Sequence, residues 1–290
     1  MKLPSWLKIK KPSLGKSMAV RNIINRHHLH TVCQSARCPN IFECFSRGTA
    51  TFLILGDTCT RHCRFCSVKK QSSSGGVETV KQIQDEPKEV AQACKKMQLK
   101  HVVITSVTRD DLPDGGASIF YDTIIEVRQV CPETTIEVLT PDFQGSQKSI
   151  LKVIAAKPDI FNHNIETVAR LYESIRPEAD YRRSLEVLGY GKKINSDVTT
   201  KSGLMLGLGE EQNEVIGALK DLRSVDCDVV TLGQYLRPSL SAETVEVTRF
   251  VRPEEFDSYR AEAYKLGFKA VSSGPFVRSS YKAGELITAL

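Results

Sequence analysis

The residues with the clearest chemistry are three cysteines in 59–66, which reads Cys-Thr-Arg-His-Cys-Arg-Phe-Cys. Their spacing is C-x3-C-x2-C, directly behind the apolar run 51–55. Three thiolates leave one iron of a cubane iron–sulfur cluster without a protein ligand, and such an iron can bind and activate a small molecule. A cluster fixed by four thiolates carries electrons instead. The spacing therefore favours an iron–sulfur centre with an open position.

Spacing alone leaves two other interpretations open, a zinc site and an inert set of thiols. Cys63 and Cys66 form a C-x2-C pair, which also occurs in zinc ribbons and redox motifs. A zinc ribbon needs a second pair of ligands, and a redox pair has no need of Cys59 upstream. Phe65, inside the motif, strengthens the iron–sulfur interpretation.

This stretch resembles the signature of the radical S-adenosylmethionine enzymes, in which an aromatic residue stands just before the last cysteine. The resemblance implies that Cys59, Cys63 and Cys66 hold a 4Fe-4S cluster and that Phe65 lies at the cofactor. It also implies that the amino and carboxylate groups of S-adenosylmethionine chelate the remaining iron. An electron from the cluster then cleaves the sulfonium to give a 5′-deoxyadenosyl radical.

A second set of cysteines, Cys33, Cys38 and Cys44, precedes the first with the spacing C-x4-C-x5-C. Alone, this set is compatible with zinc or iron. Together, the two sets are similar to those of the lipoyl synthases, a family within the radical S-adenosylmethionine superfamily. The family pattern does not use three nearby histidines, which are better explained as part of a basic arm: His27, His28 and His30.

Cysteine usage also bears on the compartment. Six of the nine cysteines fall within 33–66, and this clustering favours metal binding in a reducing compartment. The three others, Cys94, Cys131 and Cys227, stand alone on apolar-periodic stretches and are expected to be buried hydrophobes. No stretch approaches the ~20 apolar residues of a membrane span, and the start lacks the apolar region of a signal peptide. The sequence therefore predicts a cytoplasmic protein that does not contact a membrane.

The net charge of +6 is concentrated at the N-terminus, because no Asp or Glu precedes Glu43. The basic residues of this arm are Lys2, Lys8, Lys10, Lys11, Lys16, Arg21, Arg26 and Arg37. A solvated arm is one interpretation. Nucleic acid binding lacks support, since no aromatic residues are interleaved and no known motif is present. We favour docking of an acidic partner protein.

Beyond the cysteines, apolar runs and amphipathic segments alternate. Helical periodicity covers 18–30, 87–98, 117–130, 146–156, 183–188, 211–224 and 254–266. Short β-rich runs lie at 51–55, 101–106, 135–139, 159–162, 198–206 and 229–232. Six strand–helix units predict an α/β fold with a parallel sheet, either open or closed into a barrel.

The family resemblance selects the barrel, because it implies a partial (β/α)6 barrel with N-terminal and C-terminal extensions. We assign 1–48 to an extension that carries the auxiliary-cluster cysteines, 49–270 to the barrel, and 271–290 to a C-terminal segment with the auxiliary-cluster serine. A polar stretch at 72–76 reads as a flexible connection, and the glycine-closed loop 105–116 as either a lid or a solvated turn.

Chemistry in such folds belongs at the carboxyl ends of the strands. There, 161–167 reads Phe-Asn-His-Asn-Ile-Glu-Thr, which is similar to a run in biotin synthase. By that likeness Asn164 and Glu166 face the adenosyl ribose, while His163 is structural. One nearby guanidinium is expected to pair with the S-adenosylmethionine carboxylate, since arginine suits bidentate pairing. We choose Arg183 over Arg182, with a helix-surface arginine as the alternative.

Two glycine-containing stretches complete the predicted site. The run 203–210 resembles the G-x-I-x-G-x-x-E element of the superfamily, in which backbone at Gly203 and Gly207 approaches the adenine. It lacks the residue order of a phosphate-binding loop. Residues 278–281 read Arg-Ser-Ser-Tyr, and in lipoyl synthases this motif supplies a serine oxygen to the auxiliary cluster. By the family's placement that ligand is Ser280, with Ser279 as the fallback and Arg278 holding or shielding it.

The family resemblance implies the activity of a sulfurtransferase. Two sulfur atoms are inserted at the sixth and eighth carbons of an octanoyl chain on a lysine of a lipoyl carrier domain. The auxiliary cluster, held by Cys33, Cys38, Cys44 and Ser280, is the sulfur donor. Implied cofactors are two 4Fe-4S clusters and S-adenosylmethionine. Implied partners are the glycine cleavage H protein or a 2-oxoacid dehydrogenase E2, a reductase such as ferredoxin or flavodoxin, and an iron–sulfur carrier.

Two rival classes remain. A biotin synthase-like sulfur inserter lacks the C-x4-C-x5-C set and the closing Arg-Ser-Ser-Tyr. A non-catalytic metal or electron-transfer module needs only the cysteines and not the loops of the barrel. Counts of iron and sulfide separate these classes.

Overall fold

The computed structural model describes residues 3–8, 14–47, 49–71, 83–239, 243–281 and 283–287. The predicted flexible connection at 72–76 lies outside these residues. So do three basic residues of the N-terminal arm, Lys2, Lys10 and Lys11.

The chain is divided into two compact units, which are described separately. The N-terminal unit comprises Lys11–Arg61 and Ser67–Phe161. The C-terminal unit comprises Met1–Lys10, His62–Cys66 and Asn162–Leu290. The 59–66 motif is therefore shared between the two units.

The N-terminal unit contains short and long strands joined by helices. Its strands are β1 (His30–Thr31), β2 (Thr51–Ile54), β3 (Thr58–Cys59), β4 (Lys69–Lys70), β5 (His101–Ser106) and β6 (Thr135–Leu139), and β7 (Ile160–Asn162) begins in it. Its helices are α1 (Leu14–Arg26), α2 (Val32–Ser35), α3 (Ile41–Ser46), α4 (Glu86–Met97), α5 (Ala117–Val130) and α6 (Gln147–Ala155).

The register of this unit is parallel except at one edge. β2 pairs with β5 with Thr51 opposite Val103, and β5 pairs with β6 with Val103 opposite Glu137. β1 lies antiparallel on β2, with His30 opposite Leu53. Because parallel neighbours align their carboxyl ends, the loops after β2, β5 and β6 emerge at one edge.

The C-terminal unit continues the same alternation. Its helices are α7 (Tyr172–Ile175), α8 (Tyr181–Ile194), α9 (Gln212–Ser224), α10 (Pro253–Lys265) and α11 (Ala283–Ile287). Its strands are β8 (Thr199–Leu206), β9 (Val229–Gln234) and β10 (Ala270–Gly274), which pair in parallel in that order. A hydrophobic core forms where one face of the strands meets the helices, as at Leu204, Leu219 and Phe256.

Most of the predicted elements are present. The bounds of β5, β6 and α5 match the prediction, and α4, α6, α9 and α10 differ by only a residue at either end. The predicted helix 183–188 lies within the longer α8, whose cap is Asp180. β10 was not predicted, because its sequence Ala-Val-Ser-Ser-Gly is short and mostly polar.

Candidate functional site

Cys59 ends β3, and two backbone amides point at its sulfur. The N–H of Arg61 donates to Sγ at 3.5 Å, and the N–H of Thr108 donates at 3.3 Å. The Cys59 carbonyl accepts from the N–H of Gln71 at 2.8 Å, which continues the β3–β4 pairing. Because N–H groups stabilise a negatively charged sulfur, this geometry suits a thiolate that ligates iron.

The turn between β2 and β3 is held in a strained conformation. Leu55 has a φ of 69°, which is uncommon for a residue with a side chain. The carboxylate of Glu86 accepts the N–H of Leu55 at 2.7 Å and that of Gly56 at 3.2 Å. The buried Arg109 donates to the Leu55 carbonyl at 3.3 Å. These contacts fix the direction in which the chain leaves β2 and therefore the position of Cys59.

Arg61, inside the cysteine motif, forms a buried ion cluster. Its guanidinium contacts Asp110 and Asp142, and the closest distances are 2.6 Å and 2.7 Å. Burial by itself lowers the pKa of Arg61, but the hydrogen bonds and charges of the two carboxylates outweigh it and raise the pKa. The arginine therefore stays charged although only 5% of it is exposed.

The earlier cysteine set is held by two short helices. Cys33 lies in α2, which Thr31 caps by accepting the N–H of Gln34 at 3.3 Å. The N–H of Cys38 donates to the Cys33 carbonyl at 3.0 Å, and Cys44 lies in α3. The wide C-x4-C-x5-C spacing thus corresponds to a helix, a turn and a second helix.

The three thiols of this set lie close enough to affect one another's ionisation. Burial raises the pKa of Cys33 to about 11, and the charge of Cys38 adds to the rise. Burial likewise raises the pKa of Cys44 to about 12, with Cys33 and Cys38 adding. Because the thiolates repel one another, the group carries three negative charges only when a cation neutralises them. Soft thiolates near one another fit an iron–sulfur cluster.

Across the described parts of the chain, no three His, Cys, Asp or Glu side chains converge closely enough to ligate a single metal ion. A cubane cluster places each thiolate on a different iron, which separates the sulfurs more widely than one ion does. The ligands of such a cluster can therefore lie farther apart than the ligands of a single metal ion.

The second part of the cysteine motif, 62–66, belongs to the C-terminal unit. Glu178 accepts the backbone N–H of His62 at 3.2 Å, and its Oε1 lies 3.0 Å from the ring Nδ1. The N–H of Arg64 donates to the Ile175 carbonyl at 2.8 Å, and the Arg64 carbonyl accepts from Val245. Phe65 packs against the hydrophobic core. The phenylalanine thus anchors the loop, and its predicted contact with the cofactor stays a prediction.

Asn164 and Glu166 are brought together after β7. The amide Nδ2 of Asn164 donates to Oε1 of Glu166 at 3.1 Å. Burial raises the pKa of Glu166, while the charge of Arg176 opposes the rise. Glu166 has a φ of 64° and is fixed by backbone bonds to Gly203 and Met205. An amide beside a carboxylate offers the donor and acceptors that bind a diol.

Arg176 was not predicted and holds this segment from below. Its Nη1 donates to the carbonyls of Asn164 at 3.2 Å and Ile165 at 3.1 Å, and to the hydroxyl of Tyr172 at 2.9 Å. The guanidinium also lies over the Tyr172 ring, 5.1 Å from its centroid. An arginine that binds backbone carbonyls has no short sequence signature, which is why sequence reasoning missed it.

The Arg-Ser-Ser-Tyr motif meets the same segment through Ser279. The Ser279 hydroxyl contacts Asn162 Nδ2 at 2.8 Å and Asn164 Oδ1 at 3.1 Å. Arg278 donates to the Val277 carbonyl at 2.6 Å. The Val277 carbonyl in turn lies so close to Gly233 that a Cβ there would clash. The predicted roles of Ser280 and Arg278 toward iron stay predictions.

The predicted adenine-binding glycines have packing reasons of their own. A Cβ at Gly203 would lie 2.7 Å from Thr231 Oγ1 and 2.9 Å from Asn164 Oδ1. Gly207 has a φ of 97°, and a Cβ there would clash with Gln234. The Glu210 carboxylate accepts the N–H of Gly207 at 2.6 Å and so closes the turn. Contact with adenine at these glycines stays a prediction.

Arg183 lies in the first turn of α8. Its N–H donates to Asp180 Oδ1 at 2.7 Å, and its Nη2 donates to the Glu178 carbonyl at 3.2 Å. Glu178 also binds His62, so Arg183 lies beside the segment that holds the cysteine loop. Arg182 is exposed to solvent.

The comparisons with known proteins first define the class. A family model described as the Radical SAM superfamily matches residues 53–222, more than half of the chain. The structure is also similar to that of coproporphyrinogen III oxidase from Escherichia coli, described as a radical SAM enzyme, with a TM-score of 0.56. The two are 12% identical, and the match covers 75% of this chain and 54% of that one. The likeness supports the fold alone, and the predicted partial barrel is confirmed. The chain is therefore of the radical S-adenosylmethionine class.

Closer relatives define the family. The lipoyl synthase of Caldanaerobacter subterraneus subsp. tengcongensis is 52% identical over 282 residues, which are 97% of this chain and 95% of that protein. The lipoyl synthase of Caldicellulosiruptor bescii is 54% identical over 283 residues, 98% of this chain and 94% of that protein. The chain belongs to the lipoyl synthase family, as its two cysteine sets predicted.

A separate observation concerns the helices. Within the part of the chain that the structure describes, none is both long and apolar enough to span a bilayer.

Proposed function

We propose that this chain inserts two sulfur atoms at the sixth and eighth carbons of an octanoyl chain carried on a lysine of a lipoyl domain. The single observation that carries the proposal is the arrangement of the second cysteine set. Cys33 and Cys44 lie on two short helices, and the turn between them is closed by the Cys38 N–H, which donates to the Cys33 carbonyl at 3.0 Å. A radical enzyme that only abstracts hydrogen needs the 59–66 cysteines and not this second group. The family membership supports the same activity.

Two 4Fe-4S clusters are part of the proposal. Cys59, Cys63 and Cys66 would hold the first, and Phe65 packs against the hydrophobic core of the C-terminal unit. When bound, this cluster and S-adenosylmethionine supply a 5′-deoxyadenosyl radical, which can remove hydrogen from positions with no acidic proton.

The residues of the C-terminal unit would bind and orient S-adenosylmethionine. Asn164 and Glu166 offer an amide and a carboxylate to the ribose hydroxyls. Arg183 would pair with the carboxylate of the ligand, since its guanidinium contacts the carbonyl of Glu178, whose side chain contacts His62 in the cysteine loop. Gly203 and Gly207 permit a close backbone approach to the adenine.

The second cluster is a substrate, because its sulfide leaves in the product. Cys33, Cys38, Cys44 and Ser280 would hold it, with Arg278 keeping Ser280 in place. An alkoxide ligand is a poor match for soft iron and is easily released, which suits a cluster that is dismantled in use.

The proposed partners follow from the substrate and the chemistry. The carrier is the glycine cleavage H protein or a 2-oxoacid dehydrogenase E2, and a reductase such as ferredoxin or flavodoxin supplies electrons. An iron–sulfur carrier restores the spent cluster. We place the reaction in the cytoplasm, where clustered thiols stay reduced.

The test is anaerobic incubation of the chain with a reductant, S-adenosylmethionine and an octanoyl-lysine peptide. The expected product is heavier by two sulfur atoms, from a protein that contains about eight iron atoms. Cys44→Ala should lose about half of this iron, keep cleaving S-adenosylmethionine and make no sulfur-containing product. Cys131→Ala, at a half-buried thiol outside both sets, is the matched control and should behave as the wild type.

Other outcomes identify the rival classes. Sulfur insertion by Cys44→Ala would indicate an enzyme like biotin synthase, which has no use for this cysteine set. A protein that contains iron and sulfide but never cleaves S-adenosylmethionine would be an electron-transfer module, and the proposed function would then be wrong.

A further inference from the structure

The hydrogen bonds to Cys59 come from two segments that lie far apart in sequence. The Arg61 N–H is part of the cysteine motif itself, at 3.5 Å from Sγ. The Thr108 N–H, at 3.3 Å, belongs to the loop after β5, 49 positions away. The second bond therefore exists only if that loop is held against the motif.

Thr60 makes the first connection between the two segments. Both its N–H and its hydroxyl donate to the Thr108 carbonyl, each at 3.0 Å. The Thr60 hydroxyl oxygen also accepts the N–H of Asp110 at 3.1 Å. Both backbone polar groups of Thr108 are thus bound: its N–H donates to Cys59 and its carbonyl accepts from Thr60.

Arg61 makes the second connection, through its side chain. Nε and Nη2 donate to the two oxygens of Asp110, at 2.6 Å and 2.9 Å. Nη1 and Nη2 donate to the two oxygens of Asp142, at 3.0 Å and 2.7 Å. Two paired bonds of this kind require the flat fork of a guanidinium, which an ammonium cannot reproduce.

Asp142 connects the ion cluster of Arg61 and Asp110 to the loop after β6. It is 1% exposed, and it caps the short 3-10 helix Phe143–Gly145 by accepting the N–H of Gln144 at 3.0 Å. One arginine in the motif therefore binds the loops after two neighbouring strands. The loop at 105–116 is therefore held against the motif at Thr108 and Asp110.

We propose that Thr60, Arg61, Asp110 and Asp142 are positioning residues that hold the Thr108 N–H on the Cys59 sulfur and so raise the reduction potential of the cluster that Cys59 ligates. The inference rests on the proposed function, because it requires Cys59 to bind iron. Hydrogen bonds to the sulfurs are among the factors that set the potential of an iron–sulfur cluster. An N–H donor favours the reduced form, since that form carries more negative charge.

The test changes the shape of the guanidinium and keeps its charge. Arg61→Lys retains one positive charge between the two carboxylates, so a change in potential reports the lost geometry rather than the net charge. The full-length holoenzyme is titrated with reductant, and electron paramagnetic resonance follows both clusters. The signal that shifts when S-adenosylmethionine is added belongs to the Cys59 cluster, and the unresponsive signal is an internal control.

We expect Arg61→Lys to make the responsive cluster harder to reduce. At the potential that half-reduces the wild type, its reduced fraction should fall roughly threefold or more, while the other cluster titrates as before. Arg128→Lys is the matched control, because Arg128 also binds an aspartate, Asp159, at 2.8 Å in the same unit. It should leave both clusters unchanged. An unchanged responsive cluster in Arg61→Lys would overturn the proposal.

Thr60→Val decides the case if Arg61→Lys fails to fold or to bind iron. It keeps the ion cluster and removes only the hydroxyl that joins Thr108 to Asp110. A smaller shift in the same direction supports the proposal, and no shift overturns it. A wild-type protein without any cluster that responds to S-adenosylmethionine would overturn the proposed function, and this inference with it. A responsive cluster whose potential ignores both substitutions overturns the inference alone.

Discussion

The hydroxyl of Ser279 donates a hydrogen bond to the amide oxygen of Asn164, at 3.1 Å, although the two residues are 115 positions apart. The same hydroxyl accepts from Nδ2 of Asn162 at 2.8 Å. Asn164 passes the connection on, because its own amide nitrogen donates to Glu166. The first serine of the Arg-Ser-Ser-Tyr motif thus orients the segment proposed to bind the ribose. This role supports assigning the iron to its neighbour, Ser280.

Ser279→Ala should weaken S-adenosylmethionine binding without removing iron. The substitution frees the amide of Asn164, so a loss of about 1 kcal/mol is expected, roughly a fivefold rise in Kd. Equilibrium binding on the anaerobic protein measures the Kd, and colorimetry counts the iron. If Ser279→Ala instead loses half of its iron, Ser279 is the ligand and the assignment to Ser280 is wrong.

Ser280→Cys should keep or tighten the auxiliary cluster and impair sulfur delivery. A thiolate binds soft iron better than an alkoxide does, so the cluster becomes harder to dismantle. Iron and sulfide content should stay at the wild-type level while formation of the sulfur-containing peptide falls. Ser279→Cys, one residue away, is the comparison. Its auxiliary cluster should still be dismantled during turnover, as in the wild type. Full activity of Ser280→Cys would refute the role proposed for Ser280.

The elements that sequence predicted well are those whose pattern is local. β5 and β6 alternate with amphipathic α5, and the periodicity of each segment is enough to identify it. In contrast, α8 was predicted too short because Gly189 and Gly191 interrupt its pattern. The structure gives a packing reason for the first, since a Cβ at Gly189 would lie 3.3 Å from Val225. Tertiary packing therefore overrides helix propensity there.

The cysteines were predictable because metal binding fixes their type and spacing along the chain. The contacts that orient them were not. Arg61 binds Asp110 and Asp142 across 49 and 81 positions, and Arg176 binds backbone carbonyls, which any residue type provides. The only signal in the sequence was Arg61, a charged residue inside the motif. A buried arginine and a solvated one cannot be told apart from the residue type alone. Only the fold shows which charges are buried.

Arg176→Gln should move the pH dependence of S-adenosylmethionine binding. Burial raises the pKa of Glu166 and the charge of Arg176 opposes that rise, so removing the charge raises the pKa further. The carboxylate then gains its proton at a higher pH. Because the ionised form is the better acceptor for hydroxyls, affinity in the variant should begin to fall at a higher pH as the solution is made more acidic.

Arg176→Lys is the control for this prediction. It keeps the positive charge, so the affinity for S-adenosylmethionine should begin to fall at nearly the same pH as in the wild type. This holds even if the loss of the planar guanidinium weakens binding at every pH. The measurement is the Kd of S-adenosylmethionine across a pH series, with circular dichroism to check folding. If affinity falls at the same pH in the Gln variant and in the wild type, the coupling between Arg176 and Glu166 is contradicted.

Two glycine-to-alanine substitutions should change stability in opposite directions. Gly207 has a φ of 97° and no room for a Cβ beside Gln234 and Arg249, so Gly207→Ala should cost at least ~1–2 kcal/mol. Gly217 lies in α9 with nothing within 4 Å of the position of a Cβ. Gly217→Ala should therefore gain about 0.5–1 kcal/mol from helix propensity. Urea unfolding of the two variants measures the difference, and a loss of stability in both would contradict this assignment.

The basic arm gives a prediction about the carrier protein rather than the chemistry. Arg21 and Arg26 are exposed on α1, whose first turn has no acidic residue. If an acidic carrier domain docks there, replacing both arginines with glutamate should raise the KM for the octanoylated carrier several-fold. The KM for a short octanoyl-lysine peptide should stay the same, because a peptide has no distant surface to dock. The effect should shrink as salt is added, since exposed charges are screened.

Lys220→Glu, at an exposed position of α9, controls for the change in net charge. A similar rise in KM for carrier and peptide would mean that the substitutions disturb the reaction itself, and docking at the arm would then be wrong.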